Sequence, residues 1–300
     1  MKYFTPEETR RRAEALRCYQ RQVDSELPEF LYHYTTSTGL LGIVKSGTLW
    51  MSDSQSMNDS QEISYFKELV KQTADNICNN NQSGMLTANY KNFVLELANF
   101  AMAQVGNIFI ASLSEHRDQL SQWRAYTAGS SGFALGLKTD RLVESVNNFQ
   151  VVIGKCNYNQ ADAYTAANEI IRCFIEEFFK DDEAILDYQS ITYEFNRTIH
   201  MVAPFFKNPA FSEEAEWRVF MYSHWQDSRL EYRNTATQII PFIALDIKSL
   251  ATPISSQSPN FHLICGPGMQ SNSAAAQGIF FRYLKSNVQV GKSEAPYVSR

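Results

Sequence analysis

Two short stretches of the chain concentrate residue types that do chemistry. The first is "LYHYTTSTGLLGIVKSGTLWMSD", Leu31 to Asp53. Its opening reads as a strand, and because strand side chains alternate, Leu31, His33 and Thr35 share one face while Tyr32 and Tyr34 share the other. His33 then stands near a strand end beside a helix start, where free backbone N–H groups and the positive end of the helix dipole favour phosphate. The plainer alternative is a histidine that hydrogen-bonds within a polar strand end. The second stretch is "FSEEAEWRVF", Phe211 to Phe220. As a strand it sets Glu214, Glu216 and Arg218 on one face and Ala215, Trp217 and Val219 on the other, so the apolar trio turns inward and the charges form a row. Carboxylates fixed in this way hold ribose hydroxyls and stabilise a developing cation, most strongly where water is excluded. The competing account is an edge strand with an internal Glu–Arg pair.

Three further segments carry weaker signals. In "MNDSQE", Asp59 and Glu62 have the makings of a metal pair, but they stand at N-cap and N3 spacing ahead of an apolar helical run, and a capping box accounts for both acids. "ICGPGMQSNS", Ile264 to Ser273, has the order strand, glycine-bracketed turn, helix. It matches no phosphate-loop pattern, and Pro267 offers no N–H, so it reads as a structural turn. "SLSEHRDQLSQWRAY" gathers Gln122, Trp123 and Tyr126 with Arg117 and Arg124. Trp123 and Tyr126 are three apart and so share a helical face, as core or as a platform for a base or a nicotinamide ring. His116, His200, His224 and His262 are scattered, with no Ser-His-Asp order and no H-E-x-x-H pair.

The elements that must position these residues follow from periodicity and punctuation. Thr5-Pro6-Glu7-Glu8 predicts a lead-in helix from about Pro6 to Val23. A strand over Leu31–Thr35, a helix over Ser37–Ser46 stopped by Gly47, and a strand over Thr48–Met51 come next. Helical spacing over Ser60–Cys78 and Tyr90–Gln104 forms a first insertion, and Ala161–Phe206 a second, with a solvated acidic face at Glu176, Glu177, Asp181, Asp182 and Glu183. Strands are expected at Asn107–Ser112, Gly132–Leu137, Phe149–Tyr158, Ala215–Tyr222, Ile239–Asp246 and Phe261–Cys265, then a helix over Ser273–Lys285 and an extended tail. The expected fold class is α+β: a lead-in helix at 1–30, then a single domain over 31–300. Its central sheet is mixed and largely antiparallel, with helical insertions at about 60–105 and 161–206.

Composition bounds the function. The net charge of −5 supplies no basic field for nucleic acid or anionic lipid, so any nucleic-acid partner is met locally. The five cysteines are odd in number, far apart and without C-x-x-C spacing, which points away from a disulfide framework and from structural zinc, and toward a reducing cytoplasm. The N-terminus turns charged at once, and no apolar run approaches the roughly 20 residues of a membrane helix.

The ordered set of segments resembles a prokaryotic family of domains of unknown function, DUF2971. It comprises "LYHYTTSTGLLGIVKSGTLWMSD", "MNDSQE", "SLSEHRDQLSQWRAY" with "GFALGL", the Tyr158 strand, Lys207 with "FSEEAEWRVF", "LICGPG" and the closing "KSEAPYVSR". The opening strand-helix-strand is also similar to the start of the ADP-ribosyltransferase superfamily, whose sheet is split. What that resemblance implies is a ribose ligand at His33, a neighbouring hydroxyl at Thr35 and a catalytic acid at Glu216, with Glu214 second. It also implies an aromatic partner for nicotinamide, at Tyr65 or Tyr126. NAD enters as substrate, contacted by His33, Tyr34, Thr35, Trp123, Tyr126 and Arg218, the last near phosphate. The expected activity is cleavage of the nicotinamide–ribose bond by a transferase or an NAD-cleaving effector in bacterial defence or toxin biology. The acceptor is a nucleic-acid base, a protein side chain or water. Two rivals stand beside it: a sensor module that binds a nucleotide or a partner protein without turnover, and a metal-dependent nuclease on Asp59, Glu62 and Glu216.

Overall fold

A computed structural model describes residues 26–56, 62–79, 87–102, 106–127, 131–146, 151–180, 183–184, 188–253, 258–269 and 273–296. The expected lead-in helix, Cys18, Asp59, Asp181 and Asp182 lie outside these residues.

The opening β–α–β unit is fixed by local chemistry. Strand β1 (Phe30–Thr36) passes directly into helix α1 (Ser37–Ser46), because the Thr36 hydroxyl accepts the Gly39 N–H at 3.1 Å and so satisfies one of the helix's orphan donors. Gly47 ends the helix at φ 65°, its N–H returning to the Ile43 carbonyl at 2.7 Å. Strand β2 (Thr48–Asp53) leaves from there. Leu40 and Val44 are the buried face of α1.

Strand β3 (Asn107–Ser114) organises the rest. Along one edge it pairs over its whole length with β8 (Glu216–Ser223), from Asn107 opposite Ser223 to Ser114 opposite Glu216. Its other edge is shared. Asp53 and Ser52 of β2 pair with Phe109 and Ile110 near its start, and Tyr32 of β1 pairs with Ser114 at its end. Ala111, Ser112 and Leu113 lie between these two attachments with no strand paired on that side, so the sheet forks there. From β1 it continues through β4 (Gly132–Lys138) and β11 (Phe261–Cys265) to β12 (Gln289–Lys292). From β2 it continues through β10 (Ile239–Asp246) to β9 (Leu230–Asn234). Strand β5 (Val152–Lys155) flanks β8. The ten strands make one mixed sheet in which β11 with β12 is the parallel pair. Two short strands, β6 (Phe179–Lys180) and β7 (Glu183–Ala184), pair separately.

Each face of the sheet has its own core. On one face lie α2 (Glu62–Asn79), α3 (Ala88–Ala101), α6 (Gln160–Phe178) and α7 (Tyr188–Val202), the two insertions expected from helical spacing. They join Ile108, Ile110 and Phe220 of the sheet in a cluster rich in phenylalanine, where the Phe66 and Phe206 rings stack at 4.8 Å. On the other face α1, α5 (Thr139–Val146) and α8 (Ser273–Ile279) cover Leu31, Leu113, Leu135, Trp217 and Val219. Burying each such large apolar side chain contributes about 1.5–3 kcal/mol. The fold is therefore α+β, built on a single mixed sheet.

Several expectations need correction. Strand β8 starts at Glu216, because Ala215 adopts φ 43° where a 3-10 turn (Pro209–Glu214) ends, so Glu214 is not on the strand and does not share its ladder face. β8 is not an edge strand, since it is paired on both sides, by β3 and by β5, but the internal Glu–Arg pair of that account is present between Glu216 and Arg218. Within β8 the alternation holds, with Glu216 and Arg218 on one face and Trp217 and Val219 on the other, but the charged face is buried as well: Glu216 is 4% and Arg218 0% exposed. Helix α5 and strand β9 were not expected, and of the expected Phe149–Tyr158 strand, whose first two residues lie outside the described ones, Val152–Lys155 is strand.

Candidate functional site

A cavity of about 590 Å³ opens at the fork, over the unpaired edge of β3. Its volume lies within the roughly 300–1,000 Å³ of small-molecule sites. Its walls come from both arms: His33 from β1, Trp50 and Ser52 from β2, Arg233 from β9, and Ser112 from the floor, with Gln122 and Tyr126 of α4 (Leu120–Tyr126) and Lys207, Glu214 and Glu216 closing it.

His33 bridges the fork. Its Nδ1 lies 3.1 Å from the carbonyl oxygen of Ser112, one of the β3 residues that no strand pairs on this edge. A carbonyl only accepts, so Nδ1 carries the proton. Burial pushes the imidazole below the ordinary histidine range, against the opposing pull of that carbonyl. The ring is therefore neutral near pH 7 and Nε2 is an acceptor with no hydrogen-bond partner among the described residues. By ladder alternation Tyr32, Ser114 and Glu216 share one face and His33 belongs to the other. His33 and Glu216 still border one cavity, because the pairing of β1 with β3 stops at Tyr32.

The acidic end of the site is a four-residue ionic cluster. Lys207 donates to Glu216 at 2.8 Å and also to Glu214. Arg218 grips Glu216 through Nε at 2.9 Å and through a second guanidinium nitrogen at 3.2 Å, and donates to the Pro204 carbonyl at 2.9 Å. The Glu216 N–H donates to the Tyr158 hydroxyl at 3.0 Å. Burial alone would raise the Glu216 pKa, but the charges of Arg218 and Lys207 outweigh it and hold the carboxyl at about 2. The Glu214 side chain is 17% exposed and that of Glu216 5%, so Glu214 is the more accessible carboxylate.

The structure redistributes the other expected contacts. Arg218 is fully buried behind Glu216 and does not border the cavity, so it is not available to a phosphate there. Trp123 is not a platform: it is fully buried, donates to Asp118 at 2.7 Å and meets the Tyr34 ring edge-on at 4.7 Å. Tyr126, three residues on, is exposed on the cavity wall. Tyr34 borders the cavity, but its hydroxyl is engaged by the His116 carbonyl at 2.7 Å and the Gln119 N–H at 2.9 Å. Thr35 lies outside the cavity lining, paired with Phe133, and Tyr65 packs into the helical core. Glu62 begins α2, while the metal-nuclease reading also needs Asp59, outside the described residues.

Sequence reasoning missed Trp50, Ser52 and Arg233 as wall residues. Trp50 sits directly before "MSD" in the opening segment, an exposed aromatic on a strand, and that was a usable signal. Arg233 had none, because its strand was not recognised.

A family model described as a protein of unknown function, DUF2971, matches residues 122–219. The match covers 98 of the 300 residues. The matched segment runs from α4 to the middle of β8 and holds Gln122, Tyr126, Lys207, Glu214 and Glu216 of the cavity wall. His33, Trp50, Ser52 and Arg233 lie outside the matched segment. Comparison with curated proteins and with solved structures gave no match. No helix among the described residues is long and apolar enough to cross a membrane.

Proposed function

We propose that the forked cavity binds NAD and cleaves its nicotinamide–ribose bond, as an ADP-ribosyltransferase-like enzyme or NAD-cleaving effector working in the bacterial cytoplasm, in defence or toxin biology. The observation that carries the reading is the fork itself, which brings a neutral histidine with a free acceptor nitrogen and an ionised carboxylate cluster to one cavity. His33 Nε2 accepts a ribose hydroxyl. Exposed Trp50 and Tyr126 offer ring faces to the base and to nicotinamide.

The C1′–N bond breaks with its electron pair leaving on nicotinamide, and the positive charge that builds on the ribose is met by a carboxylate. What supports Glu214 over Glu216 for that role is its greater exposure and its lesser ionic engagement. Glu216 then acts as the anchor that holds Lys207. The acceptor, a base, a protein side chain or water, forms the new bond at C1′ and gives up its proton.

The test is nicotinamide release from NAD by the purified protein, compared with His33→Ala, Glu214→Gln and Glu216→Gln, with and without DNA, RNA and protein acceptors. Release by the wild type that falls by at least about a hundredfold in His33→Ala and Glu214→Gln is the expected result. Absence of release with every acceptor would overturn the reading.

One observation favours a second reading, a sensor module on the same fold. Glu216 meets two cations, Lys207 and Arg218, so the cluster offers little net negative charge to a developing cation. NAD binding seen by calorimetry without turnover is the outcome that would select it.

A further inference from the structure

Arg233 stands in the wall of the cavity with no counter-ion among the described residues. It stands on edge strand β9 and is half-buried. One guanidinium nitrogen donates to Ser52 Oγ at 3.2 Å, and Nε is buried with no acceptor. No carboxylate among the described residues lies within ion-pair distance. The nearby acid of β2, Asp53, is engaged by Asn107 at 2.9 Å and by Ser56 at 3.1 Å. The other cation on the wall, Lys207, is already matched by Glu214 and Glu216. Among the described residues Arg233 is thus a wall cation with no paired carboxylate, and a partly desolvated cation with an unmet donor is costly unless an anion reaches it.

The surroundings specify the anion. The ladders β9–β10–β2 set Arg233, Ile240, Phe242, Ser52 and Trp50 on one face of this arm. The guanidinium carbon lies 5.6 Å from the centre of the Trp50 ring, and Trp50 packs on Phe242 at 4.5 Å. Because Ser52 Oγ accepts from Arg233, its own hydrogen is left to donate. Gln238 fixes the β9–β10 turn by donating to the Ser56 carbonyl at 3.0 Å, so the arginine rests on a pinned hairpin. A planar fork of donors, a hydroxyl donor and an exposed indole make a site for phosphate attached to an aromatic base.

We infer that Arg233, with Ser52 and Trp50, binds the phosphate or diphosphate of a nucleotide held in the cavity. The inference rests on the nucleotide reading of the site but not on turnover. It also places the phosphate on the β2–β10–β9 arm, opposite His33.

Calorimetric titration of the full chain with adenosine, ADP and ADP-ribose tests it. Wild type should bind ADP and ADP-ribose about tenfold or more tightly than adenosine. Arg233→Gln, and Arg233→Met, which keeps an apolar stem over Trp50, should each erase that gain, read as the ratio of ADP to adenosine affinity within the same variant. A phosphate gain that survives both substitutions, or no gain in the wild type, overturns the inference. An Arg233-dependent gain in a protein that never releases nicotinamide would sink the proposed reaction and leave the phosphate site standing. Nicotinamide release indifferent to both substitutions, with the gain intact, would do the reverse.

Discussion

The ammonium of Lys207 stands 2.8 Å from the carboxylate of Glu216, and both side chains are almost wholly buried. Each therefore depends on the other, since a lone charge at that depth is far costlier than a paired one. Lys207→Met leaves Glu216 with Arg218 and removes the ammonium that pairs with Glu214. It should destabilise the fold by about 3–5 kcal/mol, measured as a fall in the urea midpoint with unchanged slope. A loss under 1 kcal/mol would mean that the cluster is more hydrated than its geometry indicates.

Acid should act through the same cluster. The Glu216 pKa lies at about 2 in the folded chain against an ordinary 4.5, so the unfolded chain binds its proton first as pH falls. The corresponding stability is fully present above pH 4.5 and is lost between 4.5 and 2, on the order of 3 kcal/mol. In Glu216→Gln this window should flatten, and an acid-unfolding profile identical to the wild type would assign the effect elsewhere.

A second buried pair lies within the helical layer. Lys67 Nζ and His200 Nε2 are 3.2 Å apart, and His200 Nδ1 donates to the Asn196 carbonyl at 2.8 Å. Burial first, and then the Lys67 charge, push His200 down to about 4, while burial pushes Lys67 down to about 8. Both groups are bases with lowered pKa, so stability rises with pH from 4 to 6.5 through His200 and from 8 to 10.5 through Lys67. Lys67→Met should move the His200 titration upward in an NMR pH series; an unmoved His200 would separate the two groups.

Gly47 is where α1 must stop. Its φ of 65° disfavours any L side chain, and a Cβ there would lie 2.4 Å from the Lys248 side chain. Gly47→Ala should cost about 1–2 kcal/mol in thermal or urea unfolding. Gly42, on the same helix with open space around it, is the control, and Gly42→Ala should stabilise slightly.

The parts of the fold that were legible in the sequence rest on neighbours in sequence. Thr36 and Gly47 mark the ends of α1 by capping chemistry that acts within four residues, and the paired helical insertions announce themselves by period. Glu216 and Arg218 share a face as alternation required, but their burial was not legible, because alternation does not say whether both faces are covered and β8 is flanked by strands distant in sequence. The His33–Ser112 bond exists because two strands diverge, and the Arg233 site because no described carboxylate pairs with it across the β2–β10–β9 arm. Both are properties of pairing between remote segments, which a one-dimensional pattern does not encode. Asp118 is a similar case: it gathers Trp123, Ser293 and the Glu294 N–H, tying the closing segment to α4 across the chain.

A sheet left open at its centre has an obvious way to close. One more step of the β1–β3 ladder would bring Tyr34 opposite Ser112 and zip the gap shut, exchanging the cavity for backbone hydrogen bonds. Tyr34 works against that step: its phenol is moored to the main chain at His116 and Gln119, and its ring is wedged against Trp123. The tyrosine belongs to the cavity wall and is anchored there, so closing the fork would cost both hydrogen bonds and the ring contact.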